Sequence, residues 1–357
     1  MRGGEKVVEA LCRLLPDADV FTLFYDPERV SPLIRSRRVT PSFLNPLRRH
    51  YRSLLPLMPI ALESLDLRGY DLVISSESGP AKGVILSSQT RHLCYCHTPM
   101  RYLWDLYPAY LHEWTRSSVK RALMAPLANY LRLWDYASAA RVDEFVANSG
   151  NVQRRIEKIY RRVSQVIHPP VAVESFYYEP PQDYFLIVSE LVAYKQIDYA
   201  VHCFARSGRK LRIAGDGPEY KQLRRVAGPT VEFCGRVPGD QLRTLYAQCR
   251  AFLMPGEEDF GITAVEALAS GKPVIAYGRG GVLESVPPAG GVLYPEATVK
   301  SLDEAIGRLE QMDIDSAALQ AWAAQFSETA FARKMTAVLY SGPNASSTFP
   351  PIPPSCP

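Results

Sequence analysis

AFLMPGEEDFGITAVEALASGKPVIAYGRGGVLESV, residues 251 to 286, decides how the rest of the chain is read. It opens on a short apolar run, Ala251 to Met254, broken at Pro255-Gly256, which is how a buried parallel strand ends in a loop. The loop carries Glu257, Glu258 and Asp259, then Phe260-Gly261. From Ile262 the apolar residues Val265, Leu268 and Ala269 recur at helical spacing up to Gly271, which predicts a helix and its stop. Pro273 to Tyr277 reads as a second strand, and Gly278-Arg279-Gly280-Gly281 as a turn opening a further helix through Leu283 to Val286.

Two neighbouring strand-to-helix turns aim helix N-termini, with their free backbone N–H groups, at one place where a diphosphate would be stabilised. Acids beside such a place make sense once a sugar is added, because a carboxylate accepts hydrogen bonds from two vicinal hydroxyls. Glu266, inside the helix, is placed for a ribose diol, and Glu258, in the loop, for a second polyol; seven residues separate them. A solvated helix with surface acids would show a lone Glu pair equally well. PGEEDFG, ALASGKPVIA and the GRGG turn, taken together, argue for a site.

On these residues the stretch resembles the donor-nucleotide site of retaining glycosyltransferases of family 4, which have the GT-B fold and a Glu, seven residues, Glu signature matched by Glu258 and Glu266. MRGGEKVVEAL, CYCHTPMRYLWDLY, ELVAYKQID and GDGPE are similar to a bacterial mannosyltransferase-type branch of that family. The resemblance implies an α/β protein of two doubly wound Rossmann-like domains facing a cleft, with a C-terminal helix crossing back to the first domain. Alternating strands and helices on either side of a Pro-rich stretch argue for the same layout. The expected division is 1–168 for an acceptor-binding domain, 169–183 for a linker, 184–316 for a nucleotide-sugar domain, 317–340 for the returning helices and 341–357 for a disordered, Pro- and Ser-rich tail.

The resemblance also distributes roles. Lys195, after the apolar strand FLIVS, matches a residue directed at the donor diphosphate, although Glu190 stands where the family commonly has Arg, and Gln196 where it has a further basic residue. Backbone amides around Phe260, Gly261, Ile262 and Gly281 would share that diphosphate. Gly217 and Arg236 match the neighbourhood of the base, and Gly3 and Gly4 a glycine loop near phosphates and acceptor. His97 ends the predicted strand Arg91 to Cys96, at the edge of the sheet where open α/β folds bind ligands. It is expected to hydrogen-bond the sugar or the developing charge, with Arg101 nearby. Arg2-Gly3-Gly4-Glu5 reads as the loop after a first strand that is not in this sequence, so a late start codon and an impaired chain both stay open.

With 357 residues, 47% of them hydrophobic and 22% charged, the chain is long enough for two ordinary globular cores. A net charge of +4 and the lack of any nucleic-acid motif argue against nucleic acid as partner. No apolar run reaches the roughly twenty residues of a membrane span. The scattered cysteines are expected as reduced thiols in a cytosolic protein. From Arg29 to Leu62 there is no acid, while Arg35, Arg37, Arg38, Arg48, Arg49 and Arg52 interleave with Phe43, Leu47, Tyr51 and Met58. Such a segment suits an anionic membrane surface.

The expectation is therefore a metal-independent hexosyltransferase without a cofactor. Its donor would be GDP-mannose or another nucleotide-sugar, and its acceptor a lipid-linked saccharide or polysaccharide, on the inner face of the plasma membrane. Two rivals stand beside it: a non-catalytic GT-B binding subunit and a nucleotide-sugar epimerase on the same fold. A nicotinamide dehydrogenase would need GxGxxG after a first strand.

Overall fold

A computed structural model describes residues 3–108 and 118–341. In the first half the strands are β1 (Val20–Thr22), β2 (Val39–Pro41), β3 (Leu72–Glu77), β4 (Arg91–Cys96), β5 (Glu144–Ala147) and β6 (Ser164–Val166); in the second they are β7 (Phe185–Val188), β8 (Leu211–Ala214), β9 (Val231–Gly235), β10 (Ala251–Met254), β11 (Val274–Tyr277) and β12 (Gly291–Tyr294). Among the described residues every strand pairing is parallel. Parallel strands need crossovers, and these come as helices packed on both faces of each sheet.

The second sheet runs β12-β11-β10-β7-β8-β9. Its connections proceed in one direction from β7 and in the other from β10, so the topological switch point lies between those two strands. Crevices for ligands open there, at the carboxyl ends. β10 is buried along its whole length, Ala251–Met254, as its unbroken apolar run predicts. Phe185, Phe204, Leu253 and Ile306 fill one face of this sheet, and Leu186, Phe252, Leu268 and Phe326 the other.

The first domain is built in two pieces. β3, β4, β5 and β6 form one sheet in that order, and β1 pairs with β2 apart from it. Side chains join the pieces: the Tyr70 hydroxyl donates to the Asp19 carboxylate, and the Tyr70 ring stands edge-on to Phe21 at 5.6 Å. The sequence predicts a strand from Asp17 to Tyr25, yet only Val20–Thr22 forms one. Its single partner ends at Pro41, which has no N–H to extend the ladder. The sequence also predicts a helix over Tyr102 to Ala140: turns cover 101–106, residues 107–108 and Ser118–Ser138 are helical, and 109–117 lie outside the described residues.

A charged hub lies under the β3 end of the first domain. Lys82, fully buried, contacts the carboxylates of Glu77 and Asp135. Asp135 also accepts from Trp104 Nε1 at 2.8 Å and from the Tyr160 hydroxyl at 3.0 Å. Burial pushes Glu77 up to about 7, although Lys82 beside it works the other way. The hub pins the segment after β4 to the long helix Ser118–Ser138.

The last helix, Glu328–Tyr340, lies on the first domain. Phe331, Met335 and Val338 pack with Val7, Leu93, Tyr95 and Ile167, and Arg91 donates to the carbonyls of Val338 and Leu339 at 2.8 and 2.7 Å. The predicted disordered tail beyond residue 341 lies outside the described residues.

Candidate active site

Three carboxyl ends of the second sheet converge with two of the first. After β7 a short 3₁₀ turn, Ala193–Lys195, delivers Lys195; after β10 the acid loop delivers Glu258, and the two side chains are in direct contact. Lys195 and Glu258 therefore face each other across the switch point. Burial opposes the charge on Lys195, but Glu258, Tyr194 and Asp259 together raise the lysine's pKa above its ordinary value.

The acid loop is closed from beneath by the glycine turn after β11. Gly281 N donates to the Glu258 carbonyl at 2.9 Å, and a Cβ at Gly281 would lie only 2.3 Å from Phe260 Cα. Gly281 thus lies against the acid loop. Its N–H is occupied by Glu258, however, so in this structure it fixes the acid loop instead of offering an amide to a phosphate. Gly261, with φ of 90°, turns the chain into the helix Ile262–Ala269, whose first amides have no acceptor within the helix. Phe260 is buried, with its ring stacked on His168, just beyond β6, at 5.1 Å.

Glu266, one turn into that helix, is 5% exposed and held at both oxygens. Oε2 accepts from the Tyr246 hydroxyl at 2.9 Å, and Oε1 from Lys6 Nζ at 2.8 Å. Lys6 sits on the first helix, Gly3–Leu14, whose opening glycines touch both domains. A Cβ at Gly3 would lie 3.0 Å from Ile262 Cδ1, and one at Gly4 3.5 Å from His97 Nε2.

His97 follows β4, with Nε2 2.8 Å from Ser76 Oγ and its ring edge-on to Tyr95 at 5.1 Å. Burial lowers its pKa to about 4, so the imidazole is neutral near pH 7. Next along, Arg101 reaches the second domain: Nη1 is 3.5 Å from the Glu257 carbonyl and 3.7 Å from Asp259 Oδ2. Its guanidinium lies 5.8 Å from the centre of the Tyr194 ring, beside Lys195.

Gly217 and Arg236 are brought to the ends of β8 and β9. The Gly217 amide bonds Asp216 Oδ1 at 2.8 Å, and the Arg236 side chain is 87% exposed, 3.8 Å from Asp216. Neither touches the Lys195–Glu258 pair. Lys6, Tyr246 and Arg155, which complete the site's ion pairs and hydrogen bonds, carry no signal in the sequence, because each meets its partner only through the tertiary fold.

The comparisons with known proteins agree with this architecture. A model described as Glycosyltransferase Family 4 matches residues 1–175, and one described as Glycosyl transferases group 1 matches residues 178–326. A GDP-mannose-dependent alpha-mannosyltransferase of Mycolicibacterium smegmatis is 39% identical over 102 residues, 28% of this chain and 27% of its own length. A GDP-mannose-dependent monoacylated alpha-(1-6)-phosphatidylinositol monomannoside mannosyltransferase of Corynebacterium glutamicum is 32% identical over 155 residues, 39% of this chain and 41% of its own length. The matched stretches thus span less than half of these relatives. The Anabaena protein HepE, solved with UDP and glucose, superposes with a TM-score of 0.69 at 17% identity, covering 95% of this chain and 96% of that one. The fold is GT-B: two Rossmann-like α/β domains with parallel sheets.

Proposed function

We propose that this chain, a glycosyltransferase of the family 4, GT-B type, moves a sugar from a nucleotide-sugar, with mannose from GDP-mannose the favoured donor, onto a hydroxyl of a lipid-linked or polysaccharide acceptor with retention of configuration. The observation that carries the reading is the contact of Lys195 with Glu258 across the switch point, with Glu266 buried on the adjoining helix. A diphosphate entering there meets Lys195 and the free amides at Gly261 and Ile262. Glu258, released by Lys195, accepts from hydroxyls of the sugar, and Glu266 from the ribose.

In the reaction the bond from the anomeric carbon to the phosphate oxygen breaks and one to the acceptor oxygen forms on the same face. The acceptor's proton passes to the departing phosphate oxygen. Charge growing on the diphosphate is met by groups already in place, which is where preorganised electrostatics lowers the barrier. Neutral His97 suits hydrogen bonding to the sugar better than proton abstraction, since a group with a pKa of about 4 is a weak base at pH 7. The GDP-mannose donor is favoured by the two mannosyltransferase relatives.

A lipid-borne acceptor is supported by the first domain's surface. Phe43, Leu47, Tyr51 and Ile60 are 58%, 51%, 43% and 55% exposed, with Arg48, Arg49 and Arg52 also exposed among them. Among the described residues no helix is long and apolar enough to cross a membrane, so contact through this surface would be peripheral.

The test is release of nucleoside diphosphate by the purified full chain from GDP-mannose and from UDP-glucose, with and without extracted lipid acceptor. Acceptor-stimulated release that K195A suppresses supports the reading. Absence of release from either donor in the presence of acceptor, together with no nucleotide binding, overturns it.

A further inference from the structure

Glu257, Glu258 and Asp259 are adjacent in the chain, and three carboxylates in one loop repel one another unless each has a cation. Lys195 of the same domain serves Glu258. The other two are served from across the cleft. Arg155, on the helix Gly150–Tyr160 of the first domain, places Nη2 2.8 Å from Glu257 Oε1 and bonds Asp259 Oδ1 through Nη1. Its Nε is 2.8 Å from Asp105 Oδ2, within the first domain, so the guanidinium's fork is fully engaged. Arg155 is 12% exposed, and its position is braced on both sides. Ser149 Oγ donates to the Asp259 carbonyl at 2.6 Å, and Glu284 of the second domain accepts from the Gly150 and Asn151 amides at 2.7 and 3.0 Å, capping the helix that carries Arg155.

We propose that Arg155 is a positioning residue: by holding Glu257 and Asp259 from the opposite domain it fixes the residue between them, Glu258, against Lys195, so that the donor site is complete only while the two domains are docked. This rests on the donor-site reading above. Parting the domains would leave Glu257 and Asp259 without Arg155, and the loop would relax by moving Glu258 away from its neighbours. Asp105 ties the same guanidinium to the segment after β4, where His97 and Arg101 lie. Sugar-side and acceptor-side groups are thereby set by one side chain.

The experiment compares R155Q, R155K and D105N with the unaltered full chain, measuring GDP and UDP affinity by calorimetry, kcat and KM with the active donor, and Tm. Lys195, Glu266 and the helix amides all belong to the second domain, so nucleotide affinity in R155Q should change by no more than about twofold. The kcat of R155Q should fall about 100-fold, the effect of a small misplacement of reacting groups. R155K, which keeps the charge but not the fork, should recover part of that loss, and D105N should lower kcat less than R155Q with affinity unchanged. Should R155Q fail to fold, R155K and D105N carry the same comparison. Turnover by R155Q at the unaltered rate, or parallel loss of kcat, nucleotide affinity and Tm in all three variants, would overturn the proposal. A full chain that binds neither nucleotide overturns the donor-site reading itself, whereas one that binds and turns over while R155Q is indifferent overturns only the role of Arg155.

Discussion

Lys6 Nζ lies 2.8 Å from Glu266 Oε1, joining the first helix of one domain to the helix after β10 of the other, 260 residues along the chain. Together with Tyr246 it fixes the direction of a buried carboxylate. If Glu266 receives the ribose, E266Q should weaken nucleoside diphosphate binding by at least about tenfold, the scale of one charge-assisted hydrogen bond lost. K6M should weaken it by only about two- to threefold, because the lysine side chain is 41% exposed and its ion pair is screened. Calorimetric titration of the full chain with GDP checks both.

On the proposed reading Lys195 faces the leaving diphosphate. K195A should lower kcat by about 100- to 1,000-fold, as loss of one preorganised donor to a developing anion does elsewhere. Initial rates of nucleotide release, with Tm as the control for folding, measure it; a fall of less than about threefold would remove Lys195 from that role.

Acid sensitivity should come from buried histidines. Fully buried His92, bonded to Ser75 Oγ at 2.9 Å and to the Arg141 carbonyl at 3.2 Å, has its pKa lowered by burial to about 4, as has His97. A depressed histidine binds fewer protons folded than unfolded, so its contribution is present above about pH 6.5 and disappears as pH falls to 4. For His92 this amounts to about 3 kcal/mol. Urea midpoints between pH 7 and 4 should therefore fall for the unaltered chain and fall less for H92Q. By the same reasoning kcat/KM should show no inflection near pH 6.5 from His97.

Much of this arrangement could be read from local pattern. The buried run of β10, the helix from Ile262 and the seven-residue interval from Glu258 to Glu266 are short-range features, and short-range features are what periodicity reports. Lys195 is picked out by its family resemblance, in the turn after the apolar strand FLIVS, where its pairing with Glu258 is not legible. Arg155, Lys6 and Tyr246 are not picked out, since an arginine on an amphipathic helix looks the same whether it faces water or three carboxylates. Gly281 shows a different limit: a turn can be located while the use of its N–H depends on which carbonyl folds against it. The short β1 was overestimated because apolar residues continue past Thr22, while its partner ends at a proline.

The hub beneath β3 should dominate first-domain stability. K82M leaves Glu77 and Asp135 buried without their cation and should cost about 3–5 kcal/mol. Chemical denaturation followed by Trp104 fluorescence checks this, since its indole N–H bonds Asp135 directly.

Membrane contact through the exposed face of the first domain makes a separate prediction. Replacing Arg48, Arg49 and Arg52 by Gln should abolish most sedimentation with vesicles of anionic lipid, by about 1 kcal/mol per arginine. F43S with L47S should weaken what remains, while nucleotide affinity stays unchanged. Binding to neutral vesicles equal to that to anionic ones would contradict the electrostatic part.

The central claim is that one hollow, at the switch point between β7 and β10, takes an activated sugar's diphosphate and ribose. A crystal structure of the full chain with bound GDP tests it most directly. The account predicts phosphate density against Lys195 and the start of the Ile262–Ala269 helix, with the ribose hydroxyls on Glu266; nucleotide bound away from all three would contradict it.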